Sequence, residues 1–134
     1  MQAAPELRDI ITGWFDAVTR GDATYVDRFI SSRPECRLVG TDPSEVIGGE
    51  QVGEFLKAEA LALGSAVTVS QSLVEAYSDG PVGWGVAFPT ITLPNGASFS
   101  PRWSAVFHQE GGDWKIVQIH ASAGIPNDQL FGAG

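Results

Sequence analysis

With 134 residues, 43% of them hydrophobic and 18% charged, the sequence has the size and balance of one globular domain able to bury a core, and a disordered chain is excluded. Sixteen acidic against 8 basic residues give a net charge of −8, and the basic residues are scattered from Arg8 to Lys115, so no patch suits a nucleic acid or an anionic membrane surface. The single cysteine, Cys36, excludes an internal disulfide and a cysteine-based zinc site.

No apolar run is long enough to span a bilayer, and MQAAPELRDI lacks the pattern of a signal peptide. A soluble, cytoplasmic protein of one domain over residues 1–134 is expected. In chain order, APELRDIITGWFDAVTRGD predicts a first helix. Pro5 stands near its start, and Leu7, Ile10, Ile11, Trp14, Phe15 and Val18 form an apolar stripe that ends at Gly21. Asp22 can cap a short second helix, ATYVDRFIS, which gathers Tyr25, Val26 and Phe29 on one side. CRLVGTD reads as a short strand and DPSEVIGG as a loop. A third helix, EQVGEFLKAEALALG, carries Val52, Phe55, Leu56 and Leu63 and stops at Gly64.

Beyond Gly64 the apolar period changes from about 3.6 to 2. SAVTVSQSLVEAYS, PVGWGVAFPTITL, ASFSPRWSAVFHQ and DWKIVQIHAS are four strands joined by SDG, PNG and EGGD, short turns that favour antiparallel neighbours. Pro89 and Pro101 cannot donate ladder hydrogen bonds, so they belong at bends, bulges or edges. Helices first and a meander after them make an α+β fold. A strongly curved antiparallel sheet covered by three N-terminal helices closes as a cone-shaped barrel around a pocket.

Two segments, GTDPSEVIGGEQV and RWSAVFHQEGGDWKIVQIHAS, together with this order of elements, resemble the SnoaL-like branch of the nuclear-transport-factor-two-like superfamily. The resemblance implies the cone with its internal pocket and a homodimer through the convex face of the sheet. Its relatives include ketosteroid isomerases, polyketide cyclases, scytalone dehydratase and limonene epoxide hydrolase, alongside members that only bind or scaffold, so one fold hosts many activities. It places Arg102 and His120 on neighbouring strands in or near the pocket and Asp42 near the mouth. The isomerases' Asp base with its Tyr/Asp oxyanion pair is not identifiable here, nor is the Asp-Arg-Asp triad of the epoxide hydrolase.

In the last strand Gln118, His120 and Ser122 share one face. Either they face water while Val117, Ile119 and Ala121 face the core, which periodicity alone favours, or they line the cavity, which the resemblance favours. A pocket-facing His120 would be the general acid or base. Arg102, sharing its face with Ser104 and Val106, would bind a carboxylate or stabilise an oxyanion, or else pair with Asp42 or Glu75. Asp42, Glu45 and Glu50 either do acid/base work or form a solvated turn. The expected ligand wall is Trp14, Tyr25, Phe29, Phe55, Trp84, Val86, Phe88, Gln118 and Ser122, against a small hydrophobic or aromatic molecule. No metal-ligand spacing and no phosphate-loop lysine is present, so neither metal nor cofactor is expected. The expected function is cofactor-free acid/base catalysis of the isomerase, cyclase, dehydratase or hydrolase type. The alternative is a non-catalytic binding or dimerisation module.

Overall fold

The computed structural model describes residues 1–132. Its elements are β1 (Gln2–Ala3), α1 (Pro5–Thr19), α2 (Ala23–Phe29), β2 (Arg37–Val39), β3 (Val46–Gly48), α3 (Gln51–Leu63), β4 (Thr68–Asp79), β5 (Val82–Thr92), β6 (Ser98–Phe99), β7 (Arg102–Glu110), β8 (Asp113–Ser122) and α4 (Asn127–Leu130). The α+β cone expected from the sequence is the observed fold. The sheet, in the order β1-β4-β5-β7-β8-β2-β3 with β6 beside β5, is antiparallel except where β2 runs parallel to β8, and it curves without closing.

The helices begin and end where local chemistry allows. α1 starts on Pro5 with Glu6 in its first turn, where a missing N–H and a negative charge are both tolerated. Asp22 caps α2 by accepting the Thr24 N–H at 3.1 Å. Gly64 takes a positive φ of 54° at the end of α3, where a side chain would be strained. Three details differ from the sequence reading. DPSEVIGG contains β3, which pairs with β2. Pro101 splits the third meander strand into β6 and β7. The short α4 follows β8.

Curvature has identifiable sources. The β4–β5 register shifts between Gln71 and Val74, and Pro89 stands opposite Gln71 at the start of that break. The β7–β8 register shifts after Val106. Such bulges bend a sheet and raise its twist. The Gln71 Oε1 is buried there with no donor among the described residues.

The core lies between α1 and the concave face of the sheet. Leu7 and Ile11 are fully buried, each contributing about 1.5–3 kcal/mol of hydrophobic burial. They can sit so close because β5 presents Gly83 and Gly85 beneath them. A Cβ on Gly83 would run into Leu7 Cδ1 and lie 2.8 Å from the Tyr77 carbonyl oxygen; one on Gly85 would run into Ile11 Cδ1. At this end the cone is closed.

Candidate functional site

Past Ile11 the helix and the sheet diverge, and a cavity of about 270 Å³ opens between them. That volume is near the lower end for small-molecule pockets. From α1 the wall receives Trp14, Phe15 and Val18, one apolar stripe seen from inside. α3 adds Phe55, Leu56 and Leu63, and β2 adds Leu38. The sheet contributes Val69, Ile91, Trp103, Ile119 and Ala121, the concave-facing alternation of β4, β5, β7 and β8. Leu93, Phe99 and Pro101, around β6, form the remaining lip. Phe15 and Trp103 meet edge to face with centroids 5.3 Å apart, which fixes the aromatic floor.

Polar groups collect on one side only. Gly40, Thr41 and Glu45 come from the β2–β3 connection, Glu59 from the third turn of α3, and Thr19 from the end of α1. Glu45 is held by its own loop: its Oε1 accepts the Asp42 N–H at 3.1 Å, and its stem packs against the Gly40 backbone. Glu59 is exposed by surface area, yet its carboxyl sits over the apolar wall. Lost hydration first, and then the charge of Glu45, push its pKa above the usual glutamate value. Glu45 and Glu59 are the only titratable side chains among the lining residues.

The opposite face of the sheet is convex and carries the other alternation. Tyr77 and Trp84 stack across β4 and β5 at 5.0 Å, and Trp84 stands opposite Val106. Val86 and Phe88 continue the row along β5, with Phe88 39% exposed. Beside this apolar band lie Arg102, Ser104, Gln118, His120 and Ser122, with Ser104 opposite His120 and Arg102 opposite Ser122.

This cone, with its one-sided apolar cavity, is matched by a family model for the SnoaL-like domain over residues 7–126. The chain belongs to the SnoaL-like family. No curated protein matches the sequence. Similar solved structures include an NTF2-like protein of unknown function from Pseudomonas putida KT2440, 12% identical with a TM-score of 0.78, covering 93% of this chain and 89% of that one. A provisionally assigned dehydratase of the NTF2-like family from Streptomyces avermitilis is 18% identical with a TM-score of 0.72, covering 91% and 96%. The association domain of CaMKII from C. elegans is 16% identical with a TM-score of 0.71, covering 89% and 94%. At such identities these likenesses establish the fold and leave activity open.

Within the SnoaL-like cone the sequence-predicted residues separate into four places. Trp14 and Phe55 line the cavity. Tyr25 and Phe29 do not: they stack on each other at 4.6 Å between α1 and α2, and the Tyr25 hydroxyl donates to the Ile10 carbonyl at 2.7 Å. Trp84, Val86, Phe88, Arg102, Gln118, His120 and Ser122 all fall on the convex face. The reason is strand parity. With Ile119 and Ala121 pointing inward, residues 118, 120 and 122 must point outward. The cavity-facing row expected from the resemblance is therefore corrected to an outward-facing one, and His120 is exposed.

Asp42 lies in the loop beside the mouth, but its Oδ1 accepts the Ser44 N–H at 2.8 Å and the Ser44 hydroxyl at 2.6 Å. Those bonds hold its carboxyl below the usual aspartate range, as in a solvated turn. Sequence reasoning missed Glu59. The signal was present, because position 59 falls on the same helical stripe as Phe55, Leu56 and Leu63, the one acid on an otherwise apolar face. Among the described residues no group of three His, Cys, Asp or Glu side chains is placed to hold a metal ion, and no helix is long and apolar enough to cross a membrane.

Proposed function

We propose that this SnoaL-like protein holds one compact, largely apolar or aromatic small molecule in its cavity and pairs with a second copy through the convex face of the sheet. The observation carrying the first part is the wall, in which aromatic and aliphatic side chains from two helices and six strands converge on one space. A bicyclic body the size of an indole buries about 200 Å², which at about 25 cal/mol per Å² gives about 5 kcal/mol before the cost of association. The second part rests on the apolar band of Trp84, Val86 and Phe88, of which Phe88 is the most exposed, with Arg102 and His120 as its polar flank.

One observation favours a second reading, cofactor-free proton transfer of the isomerase, cyclase or dehydratase kind. Glu59 stands at the cavity with its pKa raised by lost hydration, the direction in which a general acid's pKa is tuned. In that reading Glu59 takes the role that the sequence suggested for His120. Titration of 2-naphthol against the fluorescence of the wall tryptophans tests the cavity. Saturable quenching that is lost in Ala121→Phe and kept in His120→Ala supports the reading. Equal binding by Ala121→Phe, or its loss in His120→Ala, places the ligand elsewhere.

A further inference from the structure

The cavity wall is apolar, so the choice among apolar ligands falls to the groups at its mouth. Four features there share one electrostatic sign: two carboxylates and two helix C-termini. Glu45 and Glu59 both reach the space, and no Arg, Lys or His lines it. Glu59 has no hydrogen-bond or ion-pair partner among the described residues, whereas Glu54 and Asp27 share Lys57, and Glu110 takes Arg33 and the Ser31 hydroxyl. The Thr19 hydroxyl is not free to donate to an anion, because it already donates to the Phe15 carbonyl at 2.9 Å and the Asp16 carbonyl at 3.1 Å.

The backbone adds to this independently of the two acids. α1 and α3 both end at the mouth: Thr19 and Leu63 line it, and a Cβ on Gly21 would lie 3.3 Å from Gly64 Cα and 3.4 Å from the Ala60 carbonyl oxygen. Two helix C-termini, the negative ends of their dipoles, therefore converge on the opening. Arg20, next in the chain, turns to Asp22 at 3.8 Å and is not among the lining residues. The net charge of −8 extends the same sign over the whole surface. An anionic ligand would meet two carboxylates and the negative ends of two helix dipoles, and would find no cation among the lining residues. A ligand with an apolar body and an ammonium group would meet aromatic walls, which also attract cations, and two carboxylates at the exit.

We propose that the cavity selects hydrophobic amines in their protonated form, with Glu59 and Glu45 receiving the ammonium group at the mouth and the aromatic wall receiving the body. This rests on the cavity being the binding site. Three probes with one bicyclic body separate the two ideas: 2-naphthylmethylamine, 2-naphthylmethanol and 2-naphthoate, each titrated at neutral pH against tryptophan fluorescence. The expected order is amine tightest by about tenfold over the alcohol, with the carboxylate weaker still. Glu59→Gln, and separately Glu45→Gln, should reduce the amine's advantage over the alcohol several-fold. Alcohol or carboxylate binding as tight as the amine, or an advantage that survives both substitutions, overturns amine selection and leaves the cavity reading standing. Failure of all three probes to bind overturns both.

Discussion

The closed end of the cone gives a sharp test, because two glycines there are required for space and a third elsewhere is not. Alanine at Gly83 would place a Cβ 2.8 Å from the Tyr77 carbonyl oxygen, a backbone atom that cannot swing aside, besides meeting Leu7 Cδ1. Alanine at Gly85 would meet Ile11 Cδ1 and lie 3.1 Å from the Glu75 carbonyl oxygen, so the chief obstacle is one methyl group in a fully buried side chain. Overpacking of this kind costs about 1–3 kcal/mol, against about 0.4–1 kcal/mol gained from a less flexible unfolded chain. The net loss should be about 1–2 kcal/mol for Gly85→Ala and about 2 kcal/mol or more for Gly83→Ala. For a chain of this size each kcal/mol is worth about 3–5 °C in Tm. Gly53 in α3 is the control, since its nearest neighbour would be Ile30 Cγ2 at 3.9 Å, and Gly53→Ala should stabilise by about 1 kcal/mol through helix propensity. Ile11→Val removes the obstructing methyl. On its own it should cost about 0.5–1.5 kcal/mol, and in the Gly85→Ala background clearly less, a coupling of at least about 0.5 kcal/mol. Thermal and urea unfolding followed by circular dichroism measure all of these. A Gly83→Ala protein as stable as the parent, or additive Gly85→Ala and Ile11→Val effects, would refute the close approach of α1 to β5.

Three further outcomes follow from the site and its surroundings. Glu59 keeps its proton to a higher pH in the folded state than in the unfolded one, so the unfolded state binds fewer protons across that interval and stability falls as pH rises through it. Glu59→Gln should match the parent at acid pH and exceed it in stability at neutral pH; a constant difference at every pH would remove the stated cause. Burial first, and the charge of Glu110 second, push the Cys36 thiol up to about 11. A thiol reagent at mildly alkaline pH should therefore label the folded protein at least about a hundredfold more slowly than the denatured chain, and rapid labelling would contradict its burial. Phe88→Asp should convert a dimer to a monomer in native mass spectrometry without lowering naphthol binding, whereas an unchanged mass would remove the β5 band from the subunit contact.

The elements were legible in the sequence wherever a period was long and uninterrupted. The stripe from Leu7 to Val18 and the meander after Gly64 led to α1, β4, β5 and β8, and Trp14 and Phe55 line the cavity from the inner faces of α1 and α3, which an amphipathic helix declares. The site was less legible, for two physical reasons. A strand offers two faces one residue apart, so choosing the wrong one moves every side chain across the sheet. That is what happened to Gln118, His120 and Ser122, where Ile119 and Ala121 carried the correct signal and the family resemblance outweighed it. Glu59 went unnoticed because an acid on a helix normally means solvent, and only its position between Phe55 and Leu63 marks it as different. β3 is three residues long and includes Gly48, too short for any pattern to show.

The two ends of α1 carry different duties. Its first turns, seated on Gly83 and Gly85, tie the helix to the sheet, while its last turns, from Trp14 onward, wall the cavity. Val18 and Phe55 are only partly buried at the cavity wall, so exchanging either for another apolar residue reshapes the cavity without disturbing Leu7 and Ile11. A library of variants confined to the partly buried wall positions should therefore retain the fold and differ in what it accepts, whereas the same diversity placed around the two glycines would cost more stability. Tolerance to substitution in this molecule runs as a gradient along one helix.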